Sequence, residues 1–127
     1  MRSNVIISVG AFNAALAILL GAFAAHSLKH QLDDYHLQIF NTAADFHLIH
    51  SIGLILVGLI ASHYKQVHYS SVSYLLLIGI ILFSGSLYAL SITALSVLGM
   101  ITPIGGISFI SGWIVLAIKM ITIKPAD

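Results

Sequence analysis

Residues 44–61 read ADFHLIHSIGLILVGLIA, and how much of that stretch lies inside a bilayer decides the fold. Residues 51–61 are apolar after Ser51, but they are too few to cross a hydrocarbon core of roughly 30 Å, which takes about 20 helical residues. The far end is fixed by Ser62, His63, Tyr64 and Lys65, all polar or interfacial. Counting back the required length places the start of the span near Thr42. Asp45, His47 and His50 therefore belong inside the hydrocarbon thickness, where ionisable groups are costly and rarely face lipid.

Composition agrees with a membrane location. Of 127 residues, 59% are hydrophobic and 7% charged, against roughly 25% charged in an ordinary soluble domain. A net charge of +1 leaves no electrostatic footprint for nucleic acid. With no cysteine, disulfides, thiolate metal sites and cysteine nucleophiles are excluded.

Three more runs are long enough to cross, at 5–25, 72–91 and 103–121, so residues 1–127 form a single domain of four spans. The first run could pass for a secretory signal, since AFA at 22–24 resembles a cleavage site. A signal's apolar region is only about 7–15 residues long, however, so Val5–Ala25 reads as a span. The fold class expected is all-α: a polytopic bundle of four transmembrane helices with antiparallel neighbours. Arg2, Lys65, Lys119 and Lys124 fall on one side and only Lys29 on the other. The positive-inside rule then puts both termini in the cytoplasm of a cell (inner or plasma) membrane.

That orientation converts position to depth at 1.5 Å per residue. Asp45 falls roughly 5 Å and His50 roughly 12 Å below the outer boundary. The outer half of the bundle collects His26, Asp45, His47, His50, Ser84, Ser86, Tyr88, Thr102 and Ser108. The inner half holds little beyond Ser8, Asn13 near the middle, Ser73 and Tyr74. Within the second span, His36, Phe40, Ala43, His47, His50 and Leu54 share one helical face, while Gln38, Thr42 and Asp45 share nearly the opposite one. Polar groups on two faces predict packing on both and make this the most enclosed of the four spans.

Other features bear on packing. Gly10, Ala14, Ala17, Gly21 and Ala24 make a small-residue stripe on the first span, and Gly105, Ser108 and Gly112 make one on the fourth. The stripe on the first span serves internal packing or self-association equally well. Thr102 and Pro103 read as an N-cap and first-turn pair. Trp113 is expected in the core. The polar linker 26–41 has Leu28, Leu32, Tyr35 and Ile39 at helical spacing, which predicts a short helix lying on the outer interface. Lys29–Asp33 and His30–Asp34 are its potential ion pairs.

Four motifs, GAFAAH (21–26), DFHLIH (45–50), FSGSLY (83–88) and TPIGGISFISGW (102–113), together resemble the small YgdD-like inner-membrane family, which has a mitochondrial relative in animals. The likeness runs along nearly the whole chain. It implies a four-helix integral membrane protein and supplies no activity. The family's second-span pattern of an acidic or amide residue, an aromatic and then a histidine maps onto Asp45, Phe46 and His50. Here His47 is an added imidazole, and Asp45 is shorter than the usual residue.

The residues support three expectations. Foremost is a non-enzymatic module whose outer-leaflet polar pocket binds a lipid headgroup or a membrane-protein partner, in a chain whose other partners are the bilayer and a possible second copy of itself. A small proton-coupled transporter using Asp45 and His50 is the second. A metal or haem site on His26, His47 and His50 is the third, although zinc wants three or four ligands in tetrahedral array and no metal motif is present. No cofactor is expected. Nor is catalysis, because Ser84, Ser86 and Tyr88 make no recognisable triad by sequence.

Overall fold

The computed structural model describes residues 1–65 and 67–123. It is all-helical. The first helix is Ser3–His26 and the second Asp34–His63, joined through a single 3-10 turn at Leu28–His30. The third, Ser70–Thr93, is α-helical except for a π turn at Ile80–Ser84. A 3-10 turn at Ser96–Met100 leads to the fourth helix, Thr102–Ile121. All four are long and apolar enough to cross a membrane. Lys124, counted for orientation above, lies outside the described residues.

The outward surface is apolar, with Phe12, Ile18, Leu19, Ile81, Ile107 and Ile110 each more than half exposed. A water-soluble monomer rarely shows such a surface; in a bilayer it meets lipid tails as apolar as itself.

The helices associate in chain order. The first rests on the second, the second on the third, and the third on the fourth. The small-residue stripe explains the first pairing. Gly10, Ala17 and Ala24 are buried against the second helix, and a β-carbon at Gly10 would sit 2.8 Å from the Ser51 carbonyl oxygen. Gly58 answers from the other helix, where a β-carbon would stand 3.0 Å from the Ile7 nitrogen and the Ser3 oxygen. Two backbones this close leave the stripe no room for a second molecule; it serves internal packing. The main core lies towards the end bearing the termini, around Ile6, Leu54, Val57, Tyr69, Val72 and Leu76. A smaller cluster of Ala24, Leu28 and Phe40 seals the opposite end.

Several expectations need correction. Residues 34–41 are no separate interfacial helix but the first turns of a second helix 30 residues long. Asp33 caps that helix, its carboxylate accepting the His36 backbone N–H at 2.8 Å, so the helix begins two turns before the expected entry of the span near Thr42. Asp33 also pairs with His36 Nδ1 at 2.8 Å. Neither Lys29–Asp33 nor His30–Asp34 forms an ion pair; side chains leaving a 3-10 turn lack the i, i+4 geometry of an α-helix. Thr102 is the first helical residue and caps nothing, because its hydroxyl is engaged elsewhere.

The second helix is the most buried of the four, as expected, but it is not packed on both faces. The His47 face is buried, but Asp45 and Gln38 are exposed and Thr42 only half-buried. One turned face suffices for the first and third helices, which pack on neighbouring sectors. Among the described residues the Asp45 sector has no neighbour. Trp113 is 37% exposed, with its ring laid over Gly53 and tilted against His50.

Candidate functional site: a polar-floored lateral cleft

Because the first helix rests mainly on the second, a cleft opens sideways between it and the third. The cavity is about 310 Å³, walled by Leu16, Leu20, Ile80, Ile81 and Gly85, with Asn13, His47 and Tyr88 contributing its polar groups. The π turn supplies Ile80 and Ile81 to this wall. π turns are uncommon and recur at functional sites.

The three polar side chains are hydrogen-bonded in a line. Asn13 Nδ2 donates to the Val9 carbonyl at 2.9 Å, which fixes the orientation of its amide. Its Oδ1 therefore faces His47 Nε2, 3.2 Å away, and the ring nitrogen must donate. In the neutral imidazole Nδ1 is then an acceptor. The Tyr88 hydroxyl, 3.2 Å from it, donates. Ser51 fastens the same turn, its hydroxyl donating to the His47 carbonyl at 2.6 Å. Nothing charged is needed to satisfy this chain. It can offer a ligand the second lone pair of the Tyr88 oxygen, or accept one in place of its own internal bonds.

His50, one turn further along, does something different. Its Nδ1 donates to the Phe46 carbonyl at 2.7 Å, and its ring stacks on Phe109 with centroids 3.4 Å apart and planes 12° from parallel. Phe46, Phe83 and Trp113 complete an aromatic cluster that ties the second helix to the fourth.

The remaining expected site residues do not converge on the cleft. Ser86 donates to the Phe83 carbonyl at 3.0 Å, so the Thr102 hydroxyl, 2.7 Å away, must donate to Ser86. Ser108 donates to the Leu75 carbonyl at 2.7 Å. Both pairs lock the fourth helix to the third. Ser84 is wholly buried, and its hydroxyl finds no partner among the described residues. His26 is exposed at the end of the first helix. Asp45 is exposed on a sector of the second helix remote from His50, and among the described residues it has neither hydrogen bond nor ion pair. His26, His47 and His50 do not gather: the described residues contain no cluster of three His, Cys, Asp or Glu able to hold a metal. Of the expected set, only His47 and Tyr88 line the cleft.

Asn13 was missed as their partner. The signal that finds it is the register of the first two helices: Gly21 lies against Ala44 and Gly10 against Ser51, which brings residue 13 level with the His47 ring.

The chain as a whole is similar to known proteins. The pattern of the family described as "Protein of unknown function (DUF423)" matches residues 20–106. The chain is 42% identical over 119 residues to UPF0382 membrane protein YwdK of Bacillus subtilis, covering 93% of this chain and 97% of that one. It is 45% identical over 115 residues to a UPF0382 membrane protein of Staphylococcus epidermidis, covering 91% and 93%. A Staphylococcus aureus UPF0382 membrane protein is 42% identical over 112 residues, covering 88% and 91%. No solved structure matches. With the family pattern spanning the cleft-lining segments from Leu20 to Tyr88 and relatives aligned over nearly the full chain, this four-helix membrane protein belongs to the DUF423 family.

Proposed function

We propose that the protein is a non-enzymatic module of the cell membrane that holds a lipid in the cleft between its first and third helices. The tail lies among Leu16, Leu20, Ile80 and Ile81, and a hydrogen-bonding group near the headgroup end meets Asn13, His47 and Tyr88. Both termini are cytoplasmic, so the cleft opens within the outer leaflet.

The observation that carries this reading is the pairing of an apolar, side-opening cavity of about 310 Å³ with a single line of polar side chains. Ligand sites are mostly apolar with a few placed polar groups. Here the entrance faces lipid, so the occupant comes from the membrane.

Gly85 gives a selective test. A β-carbon there meets only the Ile80 carbonyl oxygen, 3.9 Å away, so a larger side chain enters the cleft without disturbing a helix contact. Native mass spectrometry of gently extracted protein is expected to show one retained lipid, lost in Gly85→Leu and weakened in His47→Leu. A Gly85→Leu variant that keeps the same lipid at the same occupancy sinks the proposal. Stoichiometric zinc or copper in elemental analysis, abolished by His50→Ala, replaces it with a metal-binding role.

A further inference from the structure

The sector of the second helix turned away from the other three helices carries Gln38, Asn41 and Asp45, then Ile49, Ile52 and Leu56, all exposed. Their spacings of 3 and 4 make one continuous stripe. Gly21 of the first helix lies against Ala44, and the first helix stays apolar to Ala25. Asp45 is thus set about 6 Å inside the end of the apolar run. A carboxyl at that depth, bare to acyl chains, is the most costly group on the molecular surface.

We propose that this stripe is covered by the same stripe of a second copy of the chain, across a two-fold axis along the membrane normal. A two-fold axis pairs a surface with itself. Copies inserted with one topology present the two stripes at the same depth, so Asp45 of one copy lies within one helical turn of Asn41 of the partner subunit. Asn41, one turn away on the same stripe, is the amide donor the carboxyl lacks. Across the axis its Nδ2–H reaches Asp45 of the partner subunit, and the exchange is reciprocal. Gln38 repeats the pairing nearer the boundary. Ile49, Ile52 and Leu56 supply apolar contact deeper in the bilayer. A different membrane protein would need its own donor at this level, whereas a second copy brings one. At 100° per residue Asp45 and His47 point 160° apart, so the dimer leaves the cleft open and neither reading depends on the other.

The chain has no cysteine, so single introduced thiols report proximity cleanly. Ile52→Cys is expected to give a disulfide-linked dimer on oxidation in native membranes. Phe12→Cys, 72% exposed on the first helix, is expected to give none. Photobleaching of labelled wild type in dilute bilayers is expected in two steps. Asp45→Leu removes both reciprocal bonds from a lipid-facing site and is expected to weaken dimerisation about tenfold, while Asp45→Asn, which still bonds, retains it. Single-step bleaching of the wild type overturns the proposal. So does Ile52→Cys linking to a different protein, or Asp45→Leu dimerising as the wild type does.

Discussion

Gly105 lies where the fourth helix crosses the π turn of the third. A β-carbon there would stand 2.7 Å from the Leu82 carbonyl carbon and 2.8 Å from Phe83 Cα, and would also strike the Phe83 nitrogen. These are backbone atoms, so no rotamer change clears them. In Gly105→Ala the helices must part by roughly 1 Å before ordinary contact at 3.4 Å with the Phe83 nitrogen is regained. Parting also stretches the Ser108–Leu75 and Ser86–Thr102 bonds, both 2.7 Å, which join the same two helices. Overpacking costs about 1–3 kcal/mol, and each interhelical bond in a membrane contributes about 0.6 kcal/mol. The expected loss is about 2–4 kcal/mol. Gly106→Ala is the control, because its β-carbon rests 3.7 Å from the Phe83 ring in normal contact. It should be neutral or stabilising, since alanine exceeds glycine in helix propensity by up to ~1 kcal/mol. Two identical changes one residue apart should thus differ on the order of a hundredfold in unfolding equilibrium, read by SDS titration in mixed micelles. Equal midpoints for the two variants would refute the backbone-contact argument.

Two further outcomes follow from the hydrogen bonding. Ser84→Ala removes a buried hydroxyl that has no partner among the described residues, and should stabilise the protein by about 1 kcal/mol in the same titration; a loss instead would mean that the hydroxyl is bonded. The backbone N–H of His36, with the His36 ring beside it, holds the Asp33 carboxyl below its usual value of 3.8. The unfolded chain then binds the proton more readily, so the cap's stabilisation is complete above a pH of about 4 and fades as pH falls further. Hydrogen exchange at the His36 amide should accelerate in that acidic window in the wild type and show no such step in Asp33→Asn; protection that stays flat through it would show that the carboxylate does not cap.

Much of this architecture is legible in the sequence because hydrocarbon thickness is a strict ruler. The apolar runs are bounded by Ser62–Lys65 and by His26, and a span cannot be shorter than the bilayer core. Helix length beyond the membrane follows no such ruler. The second helix runs up to Asp34 because Asp33 captures a backbone N–H, a local event that outweighs the amphipathic spacing of 26–40. The candidate site was half legible. His47 and Tyr88 share a depth, but depth does not reveal azimuth. Ser86 and Thr102 share it too, yet they bond to each other beside the fourth helix. Asn13 was discounted for sitting near the middle of its span, whereas side-chain reach and the 3.2 Å bond to His47 bring it into the cleft. Asp45 misled through a sound rule: intramembrane carboxyls avoid lipid, and within one chain this one does not.

The π turn at Ile80–Ser84 sets a phase as well as a wall. Its additional residue advances the helical screw, so Gly85–Thr93 meets the cleft at an angle that Ser70–Gly79 does not dictate. An uninterrupted α-helix would bind the two halves to one thread, and the angle that seats Leu76 in the core would also decide where Tyr88 points. Deleting one residue from the turn should restore that thread and swing everything beyond it by about 100°, carrying Tyr88 off His47 while leaving the lower half seated. The two ends of the third helix can therefore change independently, one answering to packing and the other to whatever occupies the cleft.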